Sequence, residues 1–183
     1  SRTGLIFGHN RLVDSILHDG LWDPYNNTPM GTCGEVLCKE NNFSRQDQDA
    51  YAIESYARSN KAIANGYFKD EISAVEIKSK NKIYMLDTDE EPLRFKKDKI
   101  ASLRPAFGKD GTITAANASK LNDGAAAVVL MSEKKMKEYG IEPLARVIAH
   151  CSFAHDPKWF TTAPGKAIEK ILKIAKMTKN DID

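Results

Sequence analysis

The chain has 183 residues, of which 42% are hydrophobic and 28% charged, with a formal net charge of +2. That length suffices for one domain, or one domain with part of another, and folding can bury about 70% of the surface the unfolded chain exposes. The near-balanced charge lacks the basic footprint of a nucleic-acid binder, and no apolar run approaches the ~18 residues of a membrane span, so neither partner is expected.

Over residues 5–24, Leu12, Val13, Ile16 and Leu17 stand at helical spacing, and Asp19-Gly20 reads as the stop. Trp22 to Thr28 contains Asp23-Pro24 and Asn26-Asn27 and reads as a loop. A helix is expected from about Thr32 to Asn41. The clearest element starts at Ser44, where Ser44-Arg45-Gln46-Asp47 fits a capping box with Asp in place of Glu. Ala50, Ile53, Ala57, Ile63 and Ala64 then mark one face, and Gly66 closes the helix. Strands are expected at Glu71–Lys78 and Lys82–Leu86, followed by a charged loop from Asp87 to Lys99.

After Gly111 the pattern changes. Thr112–Ala115 reads as a strand entering a loop rich in Ala, Gly and Asn. Ala125–Met131 reads as a short buried strand, Ser132–Tyr139 as a helix closed by Gly140, and Leu144–His150 as another strand. Pro164 stands in the first turn of a helix whose Ile168, Ile171, Leu172 and Ala175 share a face. Strands alternating with helices argue for an α/β fold. The more helical and irregular first part places a boundary near Lys109-Asp110-Gly111, giving domains 1–110 and 111–183. Thr178-Lys179-Asn180-Asp181 reads as a helix start. Both ends read as cut, so the chain is expected to be part of a longer one.

Cys33, Cys38 and Cys151 form no disulfide framework. No second Cys or His pair completes a zinc site with the first two. They read as reduced thiols of a cytosolic or organellar protein. His9, His18, His150 and His155 stand without a catalytic partner pattern, and nothing beside Cys33 marks it as a nucleophile.

The most informative stretch is Thr112-Ile113-Thr114-Ala115-Ala116-Asn117-Ala118-Ser119, continuing through Asn122-Asp123-Gly124-Ala125. Small side chains let a ligand or another backbone approach closely, and polar side chains among them bond turns or ligands. The Ser119 hydroxyl could serve a turn or an extended amide-bearing ligand. Asn122-Asp123-Gly124 is a turn signal. Arg94, Lys96, Lys97 and Lys99 could meet phosphates, although a solvated surface run is the usual reading of such a cluster. Tyr56 reads as packing, and Trp159-Phe160 either wall a pocket or anchor a loop.

The wording T-x-T-A-A-N-A-S-x-x-N-D-G-A-A-A resembles the biosynthetic thiolases, the acetyl-CoA C-acetyltransferases. Asp19-Gly20-Leu21-Trp22-Asp23 resembles the family's D-G-L-x-D, and Met30-Gly31-Thr32-Cys33-Gly34-Glu35 its M-G-x-x-x-E. Ser44-Arg45-x-x-Gln48-Asp49 resembles S-R-x-x-Q-D. Leu103-Arg104-Pro105-Ala106-Phe107 and Phe160-Thr161-Thr162-Ala163-Pro164 also match, and Pro29 stands where many thiolases have His. The resemblance covers residues 4–183.

It implies a thiolase-fold fragment. Residues 1–110 would be mostly a loop domain that binds coenzyme A, inserted into the first of two βαβαβαββ halves, and 111–183 the return to the core and the opening of the second half. The implied reaction joins two acetyl-CoA into acetoacetyl-CoA and coenzyme A, reversibly, in lipid metabolism. An activated Cys takes the acyl group while another moves protons. The family's motifs for these groups do not occur here, so the segment is expected to position coenzyme A without turning over by itself.

By resemblance, Tyr56, Arg94, Phe95, Lys96, Lys99 and Ser119 contact coenzyme A, and Met30 and Phe160 wall the acyl pocket. No covalent cofactor is implied. In one subclass Tyr56 and the carbonyls of Ala115, Ala116 and Ala118 would hold K+. The intact protein would be a homotetramer, a dimer of dimers, in the cytoplasm or the mitochondrion. The competing readings are a non-catalytic coenzyme A module or scaffold, and a thiolase for longer acyl chains.

Overall fold

The computed structural model describes residue 9, residues 11–80 and residues 82–182. Part of the helix expected over 5–24, at positions 5–8 and 10, lies outside them. Two compact units form, one comprising Gly34–Ser119 and the other the remainder on both sides of it.

In the flanking unit, the described part of the expected first helix forms a π-helical turn at Ile16–Gly20. Asp14 Oδ1 accepts from the backbone N–H groups of Ile16 and Leu17 at 2.9 and 3.2 Å. Leu12, Val13, Ile16 and Leu17 are all exposed, so no packed face extends the helix, and a short helix without packing is marginal. The expected loop at Trp22–Thr28 is instead a small hairpin, β1 (Trp22–Asp23) against β2 (Thr28–Pro29). Asp23 Oδ1 accepts from Tyr25 N and Asn26 N, which folds the turn.

Helix α1 (Met30–Glu40) follows at once. Helix α2 (Arg45–Ala64) opens on the expected capping box, with Ser44 and Asp47 each bonding the other's backbone N–H. The buried stripe of α2 differs from the expected one. Ala50, Ala57 and Ala64 are exposed, whereas Asp49 and Ala52 are buried and Ile53, Tyr56, Asn60 and Ile63 are half-buried. The polar atoms of Asp49, Tyr56 and Asn60 find partners on neighbouring loops, and that stripe packs.

Strands β3 (Val75–Ser79) and β4 (Lys82–Leu86) pair antiparallel, with Val75 opposite Leu86 and Ser79 opposite Lys82. A turn from Gly66 to Glu71 delays β3 beyond its expected start. The expected charged loop contains helix α3 (Glu90–Leu93) and a 3-10 turn over Lys97–Ser102 whose Ile100 is buried.

Thr112–Ala115 makes one bridge, Thr114 to Pro105, rather than a strand. Neither Ala125–Met131 nor Leu144–His150 forms a ladder among the described residues. Val128, Val129, Leu130, Leu144, Val147 and Ile148 are exposed. A strand's backbone groups need a neighbour to bond, and no described segment supplies one. Helix α4 (Glu133–Tyr139) and helix α5 (Ala163–Ala175) form as expected, α5 with Pro164 in its first turn. On α5 Ile171, Leu172 and Ala175 are half-buried, while Ile168 is exposed. A capping box at Thr178–Asp181 begins only a 3-10 turn.

One device ends α1, α2, α4 and α5 alike. A left-handed residue follows each helix: Asn42, Gly66, Gly140 and Lys176. The next N–H then reaches back five residues, as in Phe43 to Cys38, Tyr67 to Ala62, Ile141 to Met136 and Met177 to Leu172. This satisfies carbonyls that the helix leaves open. Gly occupies that position without strain at Gly66 and Gly140.

Candidate functional site

Within residues 34–119 the polar stripe of α2 organises the surrounding loops. The Tyr56 ring stacks on Phe95 with centroids 4.0 Å apart and planes 10° from parallel. Its hydroxyl donates to Glu91 Oε1 at 2.8 Å. Asn60 Nδ2 donates to the Pro92 carbonyl at 3.2 Å. Two side chains one turn apart therefore fix α3 and the start of the basic run. On either side of Phe95 the cations Arg94, Lys96, Lys97 and Lys99 are all exposed. Arg94 already pairs with Glu90 at 2.6 Å, so the lysines carry most of the uncompensated charge.

The alanine-rich loop is held from below. Glu35 on α1 accepts from Thr112 N at 3.0 and 2.9 Å, from Ile113 N at 2.8 Å and from Thr112 Oγ1 at 3.1 Å. This close approach leaves little room for a side chain at Gly111 or Gly34. A Cβ at Gly111 would stand 2.5 Å from Glu35 Oε1, and one at Gly34 would stand 2.8 Å from Ile113 Cδ1. Gln48 Nε2 donates to Thr112 Oγ1 at 2.8 Å.

The loop then closes on itself. Asn117 Oδ1 accepts from Thr114 N at 2.7 Å, and Ala118 N donates to the Thr114 carbonyl at 2.9 Å. Thr114 is fully buried beneath this turn. Asn117 Nδ2 donates to Asp49 Oδ1 at 3.0 Å and to the Thr112 carbonyl at 3.2 Å. The turn presents Ala115 and Ser119 to solvent, with Ala116 and Ala118 half-buried.

Sequence reasoning had not singled out Glu35, Arg45, Gln48 and Asp49 as supports, although three of them lie in the S-R-x-x-Q-D motif. Their signal is the spacing Arg45–Asp49, an i,i+4 pair that bonds at 2.7 Å.

The other expected site residues stand in the flanking unit. Met30 is half-buried at the start of α1, its N–H bonded to the Leu21 carbonyl at 2.9 Å. Phe160 lies in the 3-10 turn Pro157–Thr162, capped by Asp156, and is 37% exposed. In the same unit the Cys33 thiol lies 3.7 Å from Asp23 Oδ2. Burial first, and then the Asp23 charge, pushes the Cys33 thiol above its usual range. The Asn26 amide, which donates to the same Asp23 Oδ2 at 2.6 Å, holds Asp23 below its usual range. Cys33 is thus kept as a thiol, the opposite of what activates a nucleophile. Among the described residues no group of three or more His, Cys, Asp or Glu could hold a metal ion. No described helix is long and apolar enough to cross a membrane.

Residues 1–134 match the family model described as the thiolase N-terminal domain. The chain belongs to the thiolase family. Among its thiolase relatives, an acetyl-CoA acetyltransferase of Yarrowia lipolytica is 50% identical over 182 residues, covering all of this chain and 46% of that protein. The mitochondrial acetyl-CoA acetyltransferase of Mus musculus is 45% identical over 184 residues, covering all of this chain and 43% of that protein. The crystal structure of the Acat5 thiolase from Ascaris suum in complex with coenzyme A matches with a TM-score of 0.85 at 40% identity, covering all of this chain and 47% of that one. The chain therefore has the thiolase α/β fold and spans just under half the length of these thiolases.

Proposed function

We propose that this chain is the part of an acetyl-CoA acetyltransferase that holds coenzyme A. In this reading residues 1–110 are mostly the loop domain, and 111–183 return to the core and open the second half. The observation that carries the reading is that one compact unit holds both the locked Ser119 turn and the Tyr56–Phe95 stack with its exposed lysines. A coenzyme A thioester has two chemically distinct ends. Its phosphates suit Lys96 and Lys99, with Arg94 contributing what its Glu90 pairing leaves. Its pantetheine amides suit a hydroxyl on a small-residue turn, where nothing bulky bars the arm. Met30 and Phe160 supply apolar walls for the acyl group.

The reaction is the reversible condensation of two acetyl-CoA to acetoacetyl-CoA and free coenzyme A. The residues here bind and orient the thioester, which lowers the entropic part of the barrier. The nucleophile lies outside this segment, a reading supported by Cys33, whose thiol is buried beside the Asp23 carboxylate and pushed above its usual range. K+ fits the donor set of Tyr56 and the Ala115, Ala116 and Ala118 carbonyls. Neutral oxygens suit a hard cation, and the Tyr56 hydroxyl is held in place by donating to Glu91. Bound K+ would fix the turn electrostatically. The intact protein is a homotetramer, in the cytoplasm or, as in the mouse relative's name, the mitochondrion.

The test is an acetoacetyl-CoA thiolysis assay on the full-length gene product beside the 183-residue segment. Turnover by the former and coenzyme A binding without turnover by the latter support the reading. Turnover by the segment overturns the placement of the nucleophile. Coenzyme A binding without turnover by the full-length protein makes it a binding module.

A further inference from the structure

We infer that Asp49 is a positioning residue for the coenzyme A thioester, its one carboxylate setting both segments that receive the ligand. The inference rests on the coenzyme A reading above. Asp49 is only 7% exposed. A buried carboxylate is costly unless each oxygen is matched, and here each has its own donor.

Arg45 Nε bonds Oδ2 at 2.7 Å, and the same guanidinium donates to the Ile100 carbonyl at 2.7 Å and the Leu103 carbonyl at 3.1 Å. That arm fixes the turn carrying Lys99. Asn117 Nδ2 bonds Oδ1 at 3.0 Å, and Asn117 in turn accepts from Thr114 N. That arm fixes the turn ending at Ser119. The two segments also meet in the backbone, where Pro105 bridges Thr114 and Ala106 N donates to the Ile113 carbonyl at 2.8 Å, and Asp49 is the side chain that bonds to both arms.

Stability alone does not require a carboxylate here, because well-packed apolar residues in place of the whole Arg45–Asp49 pair are often neutral or stabilising. A carboxylate is suited to a different task. It accepts from two donors on opposite sides, so the spacing between the two ligand-receiving segments follows from its own dimensions. Its isostere shows why. An amide at position 49 has one accepting oxygen and one donating nitrogen. It must turn the nitrogen toward Arg45 or toward Asn117, and both are donors. One arm is released with no change in volume.

The ligand is held through both arms in every step that uses it, so release should weaken binding uniformly. That raises KM and leaves kcat in place. The experiment is steady-state thiolysis by the full-length protein, with equilibrium titration of coenzyme A, for the wild type, Asp49→Asn and Asn117→Ser. Either variant should raise KM and Kd by about tenfold, the equivalent of one mispositioned contact, with kcat within about a factor of two. Asn117→Ser cuts that link from its other end, together with the bonds to Thr114 N and the Thr112 carbonyl, and serves if Asp49→Asn fails to accumulate. A fall in kcat at unchanged KM shows only lost folded protein and overturns the inference, as does wild-type KM in both variants. A wild-type protein that does not bind coenzyme A overturns the reading beneath it and the inference together.

Discussion

The rings of Tyr56 and Phe95 lie face to face, 4.0 Å between centroids, joining the middle of α2 to the head of the basic run. Stacked aromatic pairs add about 0.5–1.5 kcal/mol beyond their buried area. Phe95→Ala is expected to lower the stability of this unit by about 3 kcal/mol, the usual scale of a large aromatic truncation in a packed site. Tyr56→Phe keeps the stack and removes the hydroxyl that donates to Glu91, so it should cost about 1 kcal/mol. If Tyr56 also serves K+, the same variant loses activation by that ion while retaining coenzyme A affinity. Urea unfolding and a KCl titration of activity distinguish these effects.

Glu35 is the anchor of the alanine-rich loop. Glu35→Gln leaves one accepting oxygen for the Thr112 and Ile113 N–H groups and turns an amide N–H toward a donor. The expected loss is about 1–3 kcal/mol of stability. Gly111→Ala should act through the same contact, because its new methyl would drive the carboxylate away. Combining the two substitutions should cost less than the sum of the separate losses. Denaturant midpoints of the single and double variants check this, and strict additivity would contradict it.

Cys33 should be the slowest of the three thiols to react. It is buried beside the Asp23 carboxylate, whereas Cys38 and Cys151 are half-buried. Its raised thiol pKa means that alkylation needs more alkaline solution than an ordinary cysteine does. Peptide mapping after iodoacetamide treatment across a pH series measures the order. In Asp23→Asn the charge is gone and the Cys33 rate should rise, provided that circular dichroism confirms the fold.

The α2 capping box makes stability depend on acidity. The Ser44 hydroxyl and backbone N–H both bond the Asp47 carboxylate, which lowers its pKa in the folded state. The unfolded chain holds the proton more tightly. The contribution is therefore complete above the unfolded value of about 3.9 and disappears as pH falls through the lower folded value. Asp47→Asn should flatten that part of the stability profile. Thermal midpoints of both proteins between neutral and acidic pH would show it, and parallel curves would contradict it.

What the sequence made legible was local. The Ser44 cap, the glycines after α2 and α4, and Pro164 each act within one helical turn, so their chemistry reads directly from spacing. The stretches at 125–131 and 144–150 are apolar enough for strands, but a ladder depends on a partner distant in sequence, and the described residues contain none. The α2 stripe was misread for another reason. Hydrophobic periodicity sees Ala50 and Ala57, but the side chains that pack are Asp49 and Tyr56, whose polar atoms find partners on other loops. The same blindness hid Glu35, which contacts residues 77 and 78 positions away.

The most direct measurement is a crystal structure of the full-length protein with coenzyme A bound. The account predicts the pantetheine arm against the Ser119 turn and the phosphates facing Lys96 and Lys99. Coenzyme A bound elsewhere, with that turn and those lysines untouched, would contradict it.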